Sequence, residues 1–292
     1  MTTVRAADST LLESPARPDG AVPSPGSSPS AARLDPPRSG FRWALDPHPG
    51  RDVGFPLGPF RAGETDPREI PAGAPVAIGA AADPYPPIER RTGRTRSALE
   101  ALGEAEGFDI TLTTRSDLVT RDRDLLADLA GRHRLGVEMI LPALDRALTR
   151  ALDPEGPRPD VRLKAISELA AAGVPVGIVC APVLPAVNDR LEAVDRLAER
   201  AARSGADWLK ARACFLPPGS MVSRFPRLER ERPDLVDRVR MLYARSARLP
   251  EEYRAGVEEL VAWIRGRRGL RAGRSESEPD RREAEGDQLP LL

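Results

Sequence analysis

The stretch that most constrains this chain runs from Val174 to Asp189, VPVGIVCAPVLPAVND. Val174, Val176, Ile178 and Val179 form a short apolar run rich in β-branched residues, the pattern of a strand buried on both faces. Ala181-Pro182 is expected to end it, because a proline donates nothing to a ladder. Upstream, Asp160 to Ala172 puts Val161, Ile166, Leu169 and Ala170 on one helical face, and Gly173 closes that helix. Downstream, Asp189 is expected to cap a helix, with Glu192 three residues on reaching back to it. The order is helix, tight turn, buried strand, polar loop, helix. The rest of the chain reads as more copies of that unit.

Strands are expected at Pro75–Ala80, at Phe108–Thr114 (where apolar and polar residues alternate), at Leu135–Leu141 and at Ala206–Phe215. Phe41–Leu45 is a candidate sixth. Helices fall between them: Thr95–Glu106, a helix capped by Thr120 with Leu125, Leu126 and Leu129 inward, Leu144–Leu152, and Asp189–Ser204. Pro233–Arg245 and Glu251–Arg265 close the chain, the latter with Tyr253, Val257, Leu260, Val261 and Ile264 on one stripe. Strands alternating with helices mean an α/β fold with a parallel sheet. A partial parallel (β/α)6 TIM-like barrel fits best, and periodicity leaves a doubly wound sheet as the alternative. Residues 1–40, rich in Pro, Ser, Ala and Gly, and residues 271–292, charged and nearly without apolar groups, bury too little surface to offset ordering entropy; both are expected to be disordered tails.

Composition excludes several classes. The 292 residues carry 44 basic and 44 acidic side chains, so no net field favours nucleic acid or a membrane surface. Lys164 and Lys210 are the only lysines, a preference for arginine that reads first as coding bias. Two cysteines, Cys180 and Cys214, exclude a disulfide framework and a cysteine-rich metal site. No apolar run approaches the ~20 residues of a membrane span, and no signal-peptide pattern opens the chain; the cytoplasm is the expected location.

In either fold, ligands bind at the C-terminal ends of the strands. That places Asp83, Tyr85, Arg115, Ser116, Pro142, Asn188 and Cys214 on one rim. Asp83 and Tyr85 suit a ligand amine or pocket wall; the plain alternative is a turn in which Asp83 bonds backbone groups. Arg115 suits a carboxylate or phosphate, against a salt bridge to a rim acid. Cys180 reads as a small buried apolar residue, and Cys214 as a buried thiol or a cavity-facing one. His48 and His133 are far apart and lack a zinc constellation; His133, closing a helix, reads as a partner of the helix dipole.

Four segments carry a family resemblance. AIGAAADPYPPIERR (Ala77–Arg91), TTRSDLVTRDRDLL (Thr113–Leu126), the long run from Leu144 to Asp189, and FLPPGSMVSRF with LERERPDLVDRVRMLY resemble the radical S-adenosylmethionine (radical SAM) superfamily, in the branch close to spore photoproduct lyase. The resemblance implies an open six-strand parallel barrel over residues 76–270 with C-terminal helices, preceded by a degenerate first unit and linker at 41–75. It also implies a [4Fe–4S] cluster held by a C-x3-C-x2-C loop after the first strand, with S-adenosylmethionine on the open iron.

The matching stretch here is FRWALDPHPGRDVGFPLGPF, Phe41 to Phe60, and it resembles the family's lead-in. On that register Arg51, Phe55 and Gly58 hold the cysteine positions, and no cysteine occurs before Cys180. Ala80, Ala81 and Ala82 replace hydroxyls expected before Asp83, Glu155 stands where an arginine is usual, and Arg115 where a lysine is. What remains is scaffold, while the losses fall on the ligand rim. The expectation is a degenerate member, a pseudoenzyme that does not hold the cluster by itself and acts by binding a small molecule or a protein. The alternative is an active enzyme whose cluster ligands are supplied elsewhere. S-adenosylmethionine stays a candidate ligand of Asp83, Tyr85, Arg115 and Asn188.

Overall fold

The computed structural model describes residues 43–45, 70–71, 73–79, 82–105, 107–214, 225–244 and 248–273. The expectations for residues 1–40, for Arg51, Phe55 and Gly58, and for residues 274–292 lie outside the described residues. Six strands form one sheet: β1 Trp43–Leu45, β2 Pro75–Ile78, β3 Asp109–Thr114, β4 Arg134–Ile140, β5 Val176–Val183 and β6 Leu209–Ala213. Every neighbouring pair is parallel, and the spatial order is the chain order. That order separates the two candidate architectures. A doubly wound sheet reverses direction at a switch point. A sheet that always adds its next strand on the same side, by right-handed crossovers, keeps its helices on one face. This is the partial TIM-like barrel.

The two faces follow from the period of two along each strand. Val76 and Ile78, Ile110 and Leu112, Leu135, Val137 and Met139, Val176 and Ile178, and Leu209 all belong to the main core. There they meet Leu99 and Leu102 of α2 (Arg94–Leu102), which follows the short α1 (Glu89–Thr92), and Leu126 and Leu129 of α3 (Arg123–Arg132). After α4 (Arg146–Leu152), α5 (Pro159–Ala171) adds Ile166 and Leu169, and α6 (Leu191–Arg203) adds Val194 and Leu197. The intervening residues face the concave side. Only Ile140, Val179 and Ala181 form an apolar group there, separate from the main core. Trp208, bridged to Arg271 beside β6, spreads its ring where Gly136 and Gly177 leave room: a Cβ at Gly177 would lie 2.3 Å from the indole.

The C-terminal helices α7 (Pro226–Glu231), α8 (Pro233–Leu242) and α9 (Glu251–Arg268) do two jobs. Leu228, Val236, Val239 and Tyr243 build a second core with Ala151, Leu152, Leu184 and Cys214, at the strand-end side of β5 and β6. The Tyr243 hydroxyl donates to the Cys214 carbonyl at 2.6 Å. Helix α9 packs Val257, Val261 and Ile264 into the main core and clamps α6 through Arg268, whose Nε donates to Asp195 at 2.7 Å. Among the described residues no helix is long and apolar enough to cross a membrane.

Several local expectations change. Strand β5 does not stop at Ala181-Pro182; it runs through a cis peptide to Val183, with the register shifting between Cys180 and Val183. An irregularity is where a sheet tolerates proline. Asp189 does not cap α6: Arg190 holds that position without a side-chain cap, and Asp189 instead accepts the Tyr253 hydroxyl at 2.9 Å. Thr120 lies inside a 3-10 helix, Asp117–Asp122, which Ser116 caps. His133 closes its helix as expected, buried against Phe108, and its Nδ1 accepts the Phe108 N–H at 3.2 Å. Arg271 is no tail residue: its N–H donates to Asp207 and its carbonyl accepts from Leu209, covering the edge of β6.

Ile178 is fully buried in the main core, on the strand between β4 and β6. Ile178→Ala is expected to cost ~2–5 kcal/mol in denaturant melts, the range for a large-to-alanine core truncation.

Candidate functional site

The loop after β2 turns back onto β3. Gly79 makes this possible with φ +81°; a Cβ there would sit 2.3 Å from the Thr113 carbonyl. Asp83 is thereby brought under β3. Its Oδ1 accepts the Tyr85 N–H at 2.9 Å and the Thr114 hydroxyl at 2.7 Å, and its Oδ2 accepts the Arg115 N–H at 2.9 Å. Burial pushes its carboxyl up from the ordinary 3.8, outweighing these hydrogen bonds and the nearby Arg115 charge.

Arg115 carries the network onward. Its Nε lies 3.8 Å from Asp83 Oδ2, its Nη1 donates to Asp153 Oδ1 at 3.1 Å, and its Nη2 is 3.8 Å from the exposed Glu155. Asp153 is shared with Arg162, a guanidinium with 0 % exposure that also donates to the carbonyls of Pro157 and Ile140 at 2.8 Å each. Burial pulls the Arg162 guanidinium down from its ordinary value, and Asp153 opposes that. The chain passes over this pair only at Gly156, where a Cβ would lie 2.1 Å from both partners. Carboxylate and guanidinium therefore alternate from β2 to α5 as Asp83, Arg115, Asp153, Arg162. The turn and the salt bridge weighed for Asp83 and Arg115 are both present. Asp153 and Arg162 escape a reading of the sequence because the turn DPEGPRP hides their convergence.

Tyr85 goes elsewhere. It is buried in the main core, and its phenol is held far above its ordinary value, first by burial and then by the Asp122 charge. Around it Arg121 donates to Glu89 at 2.7 Å and Asp122 at 2.8 Å, and Arg96 to Asp122 at 3.1 Å. Asn188 spends its whole amide inside the fold. Its Oδ1 accepts the Leu184 N–H, and its Nδ2 donates to the carbonyls of Pro142 and Pro182, each at 2.9 Å. It ties the ends of β4 and β5 together. Of the four residues singled out on the sequence, the structure brings Asp83 and Arg115 into contact; Tyr85 and Asn188 belong to two other networks.

A second polar group lies on the concave face. Glu138, in the middle of β4, pairs through Oε1 with Lys210 Nζ of β6 at 2.5 Å. Its Oε2 accepts the Thr113 hydroxyl at 3.3 Å and lies 3.9 Å from Arg212 Nη2. Both members of the pair are interior, Glu138 at 2 % and Lys210 at 1 % exposure. They meet across β5 because the residue beside Glu138 on that strand is Gly177. Two signals in the sequence marked them: one acid inside an apolar strand, LGVEMIL, and one of only two lysines in an arginine-rich chain. Neither points to the other, since 72 positions separate them.

The cysteines take no part in either network. Cys180 is in the main core with its thiol pushed up to about 12 by burial, and Cys214 is in the second core. Among the described residues no three His, Cys, Asp or Glu side chains gather as a metal site.

No family model matches the chain. It is 33 % identical over 187 residues to uncharacterized proteins of Mycobacterium tuberculosis and Mycobacterium bovis, a match covering 64 % of this chain and 55 % of each relative. The chain thus spans about half the length of the curated relatives it matches. An uncharacterized protein of Acidianus two-tailed virus is 30 % identical over 110 residues, 38 % of this chain and 35 % of that one. Among solved structures, spore photoproduct lyase complexed with dinucleoside spore photoproduct superposes with a TM-score of 0.51 at 18 % identity, over 69 % of this chain and 60 % of that one. A single-site mutant of the same enzyme gives 0.50 at 18 % identity, over 69 % and 60 %. The chain shares that fold.

Two measurements probe these networks. Glu138→Ala removes the carboxylate from an interior lysine and is expected to cost about 3–5 kcal/mol, whereas Glu138→Met with Lys210→Met returns stability to near the parent; denaturant melts of both singles and the double read the coupling. For Asp83 the folded carboxyl is raised, so its stabilisation is fully present below the unfolded value near 3.8 and is lost as pH rises through the folded value. The stability advantage of the parent over Asp83→Asn is therefore expected to shrink as pH rises from the acid side, read by urea melts at a series of pH values.

Proposed function

We propose that this chain is a radical SAM-like protein of the spore photoproduct lyase-like branch that does not hold a [4Fe–4S] cluster with its own residues, and that it acts by binding a small molecule on the strand-end side of its barrel. One observation carries the reading. The segment after β1, where three thiolates are needed, offers Arg51, Phe55 and Gly58, and the only cysteines of the chain are Cys180 and Cys214. These two sit on β5 and just after β6. Two thiols are too few for a site built on three, and a thiol held up near 12 by burial is a poor source of thiolate. The donor set does not fit the group.

The scaffold supports the binding half of the proposal. The rim acids and arginines are tied to one another, the Arg115 N–H to Asp83 at 2.9 Å and its guanidinium to Asp153 at 3.1 Å. S-adenosylmethionine is the first ligand to try, from the likeness of the Asp83–Tyr85 loop and Arg115 to the family pattern. A small molecule is preferred to nucleic acid, because 44 basic and 44 acidic residues give no basic groove by charge alone.

Anaerobic reconstitution of the purified chain with iron and sulfide is expected to leave no stoichiometric iron, no visible charge-transfer band and no reductive cleavage of S-adenosylmethionine. A stoichiometric cluster on the chain alone overturns the proposal; a cluster formed only with a co-purifying partner favours an active enzyme whose ligands come from elsewhere. Calorimetry with S-adenosylmethionine, without iron, is expected to give a saturable heat.

A further inference from the structure

We infer that Arg212 is the recognition residue of an oxyanion subsite on the concave face of the sheet, taking the carboxylate or phosphate of a small ligand. The inference deepens the small-molecule reading above and rests on it.

The floor of the concave face is closed. Trp208 lies across Gly136 and Gly177, and Gly273 packs beside Lys210 and the indole, so closely that a Cβ at Gly273 would collide with Lys210. Above that floor Glu138, Lys210 and Thr113 form one layer. Two cations, Lys210 and Arg212, stand two positions apart on β6 and so share this face. Among the described residues they share one carboxylate, Glu138. Glu138 Oε1 is taken by Lys210 at 2.5 Å, and Oε2 already accepts from Thr113 at 3.3 Å.

What is left for Arg212 is an approach of 3.9 Å to Oε2, beyond hydrogen-bond reach. Its planar fork of five N–H donors therefore makes no hydrogen bond among the described residues. Its side chain keeps 32 % of its exposure, so small solutes reach it. Among the described residues the charge count of this layer is one carboxylate against two cations, a balance of +1, and an oxyanion completes it. A guanidinium matches the two-oxygen edge of a carboxylate or phosphate, which an ammonium does not. The nearby apolar group of Ile140, Val179 and Ala181 offers no competing acceptor side chain. The unpartnered indole N–H of Trp208, buried in the floor, marks the same face as under-satisfied in acceptors.

Trp208 also supplies the readout. In the full chain with Trp43→Phe and Trp263→Phe, it is the one remaining tryptophan. Titration with inorganic phosphate and, separately, with succinate, at constant ionic strength set by chloride, is expected to change its emission saturably for at least one of the two; which one responds tells phosphate from carboxylate. Arg212→Gln is expected to weaken that response about tenfold or more, as for loss of a charged hydrogen bond worth about 1.5–3 kcal/mol, and Arg212→Lys to restore part of it. Arg267→Gln, on the exposed face of α9, serves as the control. In the unsubstituted protein, the effective oxyanion is expected to slow phenylglyoxal modification of Arg212, followed by mass spectrometry, a measurement that needs no variant to fold. No saturable response to either oxyanion, an undiminished response in Arg212→Gln, or no protection of Arg212 overturns the inference. Neither titration uses iron or S-adenosylmethionine, so failure here and failure of the cluster reading are told apart.

Discussion

A strand buried on both faces has to satisfy two different sets of neighbours with alternating side chains, and β5 is the strand on which this protein solves that problem. Val176, Ile178 and Cys180 look toward the helices and are large enough to close the main core. Gly177, Val179 and Ala181 look the other way, and Gly177 there has no side chain. If Gly177 carried a side chain, the Trp208 ring would have no place to lie and Glu138 would not meet Lys210 over the strand. One alternation thus sets both the packing of the hydrophobic layer and the polarity of the concave face. The strict chain-order sheet does the rest, because it keeps the helices to one side and leaves the other to Glu138, Lys210 and their neighbours.

Charge in this structure is spent internally. The chain is neutral overall, and beside its many surface ion pairs it carries buried ones. Asp83, Arg115, Asp153 and Arg162 form an alternating line below the strand ends, and Glu138 with Lys210 a second buried unit. Such pairs add little net stability over apolar residues of the same size, since desolvation offsets most of the attraction. Their effect is on geometry: each guanidinium fork accepts few arrangements of its carboxylates, so the loops after β2, β3 and β4 are held to one another. Arg212 shares the face of that pair, 3.9 Å from Glu138 Oε2.

The likeness to spore photoproduct lyase is one of fold, at 18 % identity. The scaffold positions that a parallel barrel needs are present: glycines at the close approaches, apolar outward faces, short turns. No cysteine occurs before Cys180. The main core is built from β2 to β6 and their helices, and the second from α4, α7, α8 and the ends of β5 and β6.

The amino-acid pattern alone determined the kind and order of the elements. Six strands, the helices between them and the two closing helices are legible because a period of two, a period of 3.6 and the glycine and proline stops are local properties. That no cysteine precedes Cys180 is plain in the letters too. Where prediction from pattern failed, a distant partner had won. Asp189 has the form of an N-cap, yet it takes the hydroxyl of Tyr253 from 64 positions away. Pro182 has the form of a strand end, yet β6 continues to pair beyond it, with Cys214 donating its N–H to Val183. The tertiary structure also decided the architecture, because periodicity does not say on which side the next strand is added. It alone brought Glu138 to Lys210 over 72 positions. Those two residues lie on strands that never pair directly, so no spacing in the sequence encodes their meeting. Only the register of β5 between them does.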